Sequence, residues 1–293
     1  MNITYRSVNI LMFFTLFLTF SCSSKDSQEI DYVERDVDEI YNTAVEFMNN
    51  EKYISASREF DEVERQHRYS IWATRAQIMS AYAKYKMQEY ESAIGAARRY
   101  IELHPGADDV DYALYLIALC YYERINDVKR DQSYTVQALN SFNALNNRFP
   151  NSKYNRDANL KIDLINDHLA GKEMDVGRTY LKLQNYISAI NRFKNVVDLY
   201  SKTSHVPEAL ARLTELYLFL GIYDQARVYA SVLGHNYSQN EWYKYAYELF
   251  IDLSENTKIT FDENALPNME NDKKNNYFNF IDEILDILDN KKT

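Results

Sequence analysis

At 293 residues, with 46% apolar, 14% aromatic and 26% charged composition, the chain has material for one long domain or two ordinary ones, and intrinsic disorder is excluded for most of it. Six glycines and four prolines are too few for a sandwich or barrel that turns about every ten residues, so a mostly helical chain is expected. The formal net charge of −10 repels a phosphate backbone at long range and argues against nucleic acid as a partner. The first segment is a targeting layout: Met1 to Asn9 carries Arg6 and no acid, Ile10 to Phe20 is an eleven-residue apolar run, and Thr19 and Ser21 are small residues before Cys22. Residues 1–21 therefore read as a secretory signal. A permanent membrane helix needs about 20 apolar residues and fails on length.

A cysteine directly after a small residue resembles the lipobox of bacterial lipoproteins, in which cleavage leaves the cysteine as the new N-terminus and its thiol is acylated. Thr19 holds the place where a lipobox usually has leucine, with Leu18 one further back. An ordinary signal peptidase site would be cut at the same bond and leave no lipid, so the spacing keeps both readings open. The expectation carried forward is a lipoprotein, with a covalent lipid on Cys22 and no other cofactor. Residues 22–35 are polar, lack a helical stripe and read as a flexible tether.

From Asp36 onward a repeat takes over. Ala-x3-[Phe/Ala] recurs at Ala56/Phe60, Ala93/Ala97, Ala138/Phe142, Ala189/Phe193 and Ala226/Ala230, with spacings of 37, 45, 51 and 37 residues. Tyr53, Tyr90, Tyr186 and Tyr223 each stand three residues before the alanine. These are marks of the second helix of a tetratricopeptide repeat, where a small residue lets two antiparallel helices approach closely. The first helices are expected at Val37 to Asn49, Trp72 to Lys86, Asp109 to Arg124, Lys172 to Leu183 and Pro207 to Leu220. Leu160, Leu164 and His168 repeat on one face, so the longest spacing is expected to hold an added helix over Tyr154 to Leu169. The fold class is all-α, a tetratricopeptide-repeat superhelix of about five helix pairs over residues 36–250.

Such pairs stack because none buries its apolar face alone, and the first helices line the concave side. Counting from each repeat alanine as position twenty, the inward residues are Asp38, Tyr41, Val45 and Met48 in the first repeat and Arg75, Ile78, Tyr82 and Tyr85 in the second. Aromatic and aliphatic residues with one arginine suit an extended peptide ending in an aromatic residue and a carboxylate. The alternative is that these side chains pack against the neighbouring repeat.

Several strings go beyond the repeat. Arg65-Gln66-His67 with Tyr69-Ser70-Ile71-Trp72-Ala73, Ile101 to Gly106, Arg148-Phe149-Pro150-Asn151-Ser152, His168 to Gly177, Ala189-Ile190-Asn191-Arg192-Phe193 and Pro207-Glu208-Ala209-Leu210 include loop and exposed residues that packing does not dictate. Together they resemble the BamD family, the lipoprotein of the bacterial outer-membrane β-barrel assembly complex, in its alphaproteobacterial form, over roughly residues 30 to 250. Arg68 stands where the family usually has proline. The resemblance implies a non-enzymatic scaffold anchored to the outer membrane and facing the periplasm. Its implied partners are the POTRA region of BamA, other lipoproteins of the complex, and unfolded outer-membrane proteins received by the N-terminal repeats. It also implies that Arg192, in the Asn-Arg pair of the fourth repeat, meets an acid on BamA. The fold alone would equally allow a periplasmic scaffold that coordinates cell-envelope or peptidoglycan machinery.

Catalytic signatures are missing from the sequence. It has no Gly-x-Gly-x-x-Gly, no Walker loop and no His-Glu-x-x-His, and the lysine of Gly171-Lys172 lies on the wrong side of Gly177 for a phosphate cradle. The five histidines are expected near helix ends, and Cys120, in the apolar stretch Leu114 to Tyr122, as a packed small residue. Asp131 is expected to cap the helix that follows it. Trp242 to Phe250 would cover the open end of the stack. Residues 251–276 read as a flexible linker, and 277–290 as an amphipathic helix with Phe278, Ile281, Leu285 and Leu288 on one stripe, suited to partner docking or to loose surface attachment.

Overall fold

The five repeat alanines are where the helices meet: Ala56, Ala93, Ala138, Ala189 and Ala226 are all 0% exposed in the computed structural model. The structure describes residues 34–254, with side chains through 250; Cys22, the signal segment, most of the tether, and residues 255–293 with their expected helix lie outside the described residues. The chain divides into a unit ending at Asp36 and a second from Val37 onward, which carries every helix below.

Eleven α-helices and no strand occur among the described residues. They form five pairs: α1 (Val37–Asn49) with α2 (Tyr53–Gln66), α3 (Ile71–Lys86) with α4 (Tyr90–Leu103), α5 (Val110–Tyr122) with α6 (Ser133–Arg148), α7 (Asn155–Lys182) with α8 (Tyr186–Leu199), and α9 (Val206–Phe219) with α10 (Tyr223–Asn236). An eleventh, α11 (Glu241–Ser254), packs on α9 and α10. Each helix from α1 to α10 lies mainly against its neighbours in sequence, as a solenoid requires, whereas α11 lies mainly against α9. Phe60, Phe142 and Phe193, four residues after their alanines, are fully buried, each contributing roughly 1.5–3 kcal/mol.

The turns repeat as faithfully as the helices. Glu51, Gln88, Gln184 and Gly221, each two residues before the tyrosine that opens α2, α4, α8 or α10, have positive φ of 58°, 61°, 56° and 70°. Only Gly221 adopts this left-handed backbone without a Cβ penalty. Where one pair passes to the next, the carbonyls of His67, His104, Phe149, Tyr200 and Tyr237 accept from the backbone N–H three residues on. Ser70 and Asn240 then accept, through their side chains, from the N–H groups of Trp72 and Trp242.

Expected bounds hold within a residue or two except in the middle. The added helix and the first helix of the fourth pair are one continuous 28-residue α7, because nothing between Leu169 and Lys172 breaks the chain: Gly171 stays helical. A Cβ on Gly171 would lie 3.1 Å from the His205 ring, and one on Gly177 only 2.6 Å from Phe193, so both glycines serve close helix approach. Fusion also corrects a further expectation: His168 lies mid-helix, with the other four histidines at or near helix ends. Leu160 and Leu164 are helical as expected, and 59% and 60% exposed. At the other end α11 runs four residues into the segment expected to be linker.

Candidate functional site

α1 and α3 present the expected groove residues, and the structure separates them by burial and contact. Ile78 is corrected outright: at 5% exposure it belongs to the core of repeats 2 and 3, because α3 turns that position toward α4 and α5. Val45 and Met48 are half-buried against the core of the first repeat. Tyr41 and Arg75 do come together, around a residue outside the expected set. The Tyr41 ring lies 4.6 Å from Trp72 and edge-on to Phe60 at 5.5 Å, and the Arg75 guanidinium stands 5.6 Å from the Trp72 ring. Trp72 sits three residues before Arg75, a helical i,i+3 neighbour, which is the signal that would have found it. Burial pushes the Tyr41 hydroxyl upward against the opposing pull of Arg75. Asp38 and Arg75 are exposed, and no carboxylate among the described residues pairs with Arg75. An exposed cation on an aromatic ledge can take a carboxylate with a ring beside it.

Tyr82 and Tyr85 start a second group. They stack at 6.2 Å, Tyr82 meets Tyr112 at 6.4 Å, Tyr112 meets Tyr154 at 5.4 Å, and Tyr154 stacks on Tyr115 at 4.8 Å. The Tyr85 hydroxyl donates to Glu123 at 3.3 Å, and burial together with that carboxylate pushes it up to about 12. The Tyr115 hydroxyl donates to Asp157 at 2.5 Å. This ladder crosses repeats 2 and 3 and turns half-buried tyrosines, which the sequence shows only as abundance, into one connected surface.

Arg192, on α8, holds Glu173 of α7 at 3.2 Å, and Asn195 donates to the same carboxylate at 2.9 Å. Its side chain keeps 39% exposure, so the outer edge of the guanidinium stays open while Glu173 fixes its direction.

Two further grooves carry no expected site residue. One of about 440 Å³ between α2, α3 and α4 is lined by Asp61, Glu64, Gln77, Ser80, Lys84 and Arg99, with Lys84 paired to Asp61 and Arg99 to Glu64. The other, about 500 Å³, lies between Leu160 and Leu164 of α7 and the Lys202–Thr203 turn. Cys120 is buried, and burial pushes its thiol up to about 12, so it is a packing residue and no nucleophile at neutral pH. Asp131 accepts from the N–H of Ser133 at the start of α6. Among the described residues no His/Cys/Asp/Glu group could hold a metal ion, and no helix is long and apolar enough to cross a membrane.

The family model YfiO, described as outer membrane lipoprotein, matches residues 33–232. The chain is 47% identical over 221 residues to the outer membrane protein assembly factor BamD of Caulobacter vibrioides, covering 75% of this chain and 72% of that protein. It is 45% identical over 227 residues to the BamD of Rickettsia prowazekii, covering 78% and 89%. Among solved structures, a thermophilic TPR protein of Thermus thermophilus aligns at 17% identity with a TM-score of 0.35, covering 73% of this chain and all of that one. With the family model matching residues 33–232 and two assembly factors at 47% and 45% identity, the chain belongs to the BamD (YfiO) family of outer membrane lipoproteins, in its alphaproteobacterial form.

Proposed function

We propose that this protein is a non-enzymatic, lipid-anchored scaffold of the outer-membrane β-barrel assembly machinery, held at the membrane through Cys22 and facing the periplasm. The identity of 47% and 45% to two assembly factors, across nearly the whole repeat region, is the observation that carries the assembly role. The Tyr41–Trp72–Arg75 ledge supports the finer reading that the N-terminal repeats receive unfolded outer-membrane proteins, whose chains would bring an aromatic ring and a carboxylate to it. Arg192, directed outward by Glu173, supports docking on the POTRA region of BamA through an acid there. Other lipoproteins of the complex complete the proposed set of partners.

Purification of the tagged protein from its own membranes in mild detergent tests the role. A POTRA-bearing barrel protein recovered in near-equal amount is the expected result; cell-wall enzymes in its place would move the function to coordination of cell-envelope machinery. In the same preparation Arg192→Glu is expected to reduce recovery of that barrel protein by about tenfold, the effect of roughly 1.4 kcal/mol. Undiminished recovery from a folded variant would refute the role of Arg192.

A further inference from the structure

Every turn that follows a second helix exposes the same two places. Counting on from His67, His104, Phe149, Tyr200 and Tyr237, they lie two and four residues later, and the hydrogen bond that each of these carbonyls accepts gives the five turns one geometry. Gly106, Asn151, Lys202 and Gln239 take the first place in the last four turns, and Asp108, Lys153, Ser204 and Glu241 the second, all exposed. The first turn departs from this rule. It carries Tyr69, 97% exposed, and Ile71, 75% exposed, more than any other large apolar residue among the described residues.

Neither side chain belongs to a hydrophobic core, and the backbone between them is fixed. The Ser70 N–H donates to the His67 carbonyl at 2.9 Å, and the Ser70 hydroxyl accepts from the Trp72 N–H at 3.0 Å. Arg68, also exposed, stands beside Tyr69. A tyrosine with a polar tip, an aliphatic residue and a cation able to pair with lipid phosphate form a set that settles at a headgroup boundary.

The place of this turn in the fold favours a membrane as its cover. Tyr41, near the start of α1, lies 4.6 Å from Trp72, and Val37 packs into the same core, so α1 begins at the edge that carries Tyr69 and Ile71. Cys22 stands fifteen residues before Val37, a reach of at most ~50 Å. A lipid on Cys22 makes contact between this edge and the bilayer intramolecular, so two apolar side chains suffice where they would not hold a free protein.

We propose that the turn carrying Tyr69 and Ile71 inserts into the headgroup boundary of the phospholipid membrane that anchors the chain, and so orients the solenoid by its first repeat. The contact rests on the anchoring through Cys22 proposed above.

The test uses the full chain, purified from its own membranes and returned to vesicles of phosphatidylethanolamine and phosphatidylglycerol. A nitroxide is placed on Tyr69→Cys and, in a second protein, on Gln239→Cys, the same place in the last turn; Cys120 is buried and escapes labelling. At position 69 the nitroxide is expected to meet oxygen about twofold more often, and a water-soluble nickel chelate about fivefold less often, than at 239. Ile71→Asp, which puts an acid at the first residue of α3 where a helix accepts one, is expected to return position 69 to the level of 239. A chain that does not float with the vesicles would overturn the anchor and the contact together. A floating chain as open to the chelate at 69 as at 239 would overturn the contact alone. Shielding of position 69 from oxygen and chelate alike would also overturn it, because the cover would then be protein, a second copy of the chain.

Discussion

Between α3 and α7 a continuous ladder of tyrosine rings joins the helix pairs across their surface; between α7 and α11 rings meet in separate pairs, such as Tyr186 with Phe219 and Tyr217 with Tyr229, and buried charge makes the longer connection. In the first region Tyr82, Tyr112, Tyr154 and Tyr115 pass contacts from ring to ring, and the carboxylates that the ladder meets lie at the surface: Glu123 on Tyr85 is exposed, and Asp157 on Tyr115 is half-exposed and shared with Lys161. In the second, Arg178 holds both oxygens of Glu208 at 3.0 Å, and Arg212, only 4% exposed, holds Glu215 at 2.9 Å and lies 5.3 Å from the Trp242 ring of α11. Burial opposes the charge on Arg212, but Glu215, Tyr245 and Glu208 outweigh it, so its proton is held more tightly than usual. One repeat plan therefore tolerates two kinds of joint. They differ in what happens when a partner is lost: a missing ring leaves a gap, while a missing cation leaves a buried anion.

Arg212→Ala should break the C-terminal joint hardest. Glu215, 3% exposed, would lose its bonded cation, and removal of one partner from a buried pair costs about 3–5 kcal/mol. The expected readout is a lowered urea midpoint together with faster exchange in α11, because the stacking on Trp242 goes too; a change within 1 kcal/mol, as for an exposed pair, would make the two joints equivalent. The aromatic joint should give far less. Tyr115→Phe keeps the ring stack and removes only the bond to Asp157, for a loss of about 1 kcal/mol in the same titration.

How much of this could be read beforehand follows from its physics. The alanines and aromatics of the repeat are local and periodic, so the helix pairs, the closing helix around Trp242 to Phe250 and the packing role of Cys120 were legible in the sequence. The fusion of α7 was not, because two glycines and a longer spacing look like a break until Phe193 and His205 are seen pressing on them. Arg75 and Tyr41 were legible as inward positions, but Ile78 was counted with them, since position along a helix does not tell which half of an inward face a neighbouring repeat will cover. The Arg212 network is non-local: Arg178, Glu208 and Trp242 lie on three helices, and in the sequence Glu208 is only part of a family string.

The exposed pairs give the smallest effect and the sharpest contrast. Glu64 is held below the ordinary carboxylate range, chiefly by its hydrogen bond from Arg99, against a burial that pushes the other way. A carboxyl lowered in the folded state adds stability that is complete above its unfolded pKa, about 4.3, and is lost as pH falls through the folded value. The urea midpoints of the parent and Arg99→Ala should therefore differ slightly at pH 6 and converge only below about pH 4. At pH 6 the deficit of Arg212→Ala should far exceed that of Arg99→Ala, because Glu215, 3% exposed, is left in the interior without its cation, whereas Arg99 is an exposed cation. Equal deficits at pH 6 would mean that the C-terminal charges are as well solvated as those on the N-terminal surface.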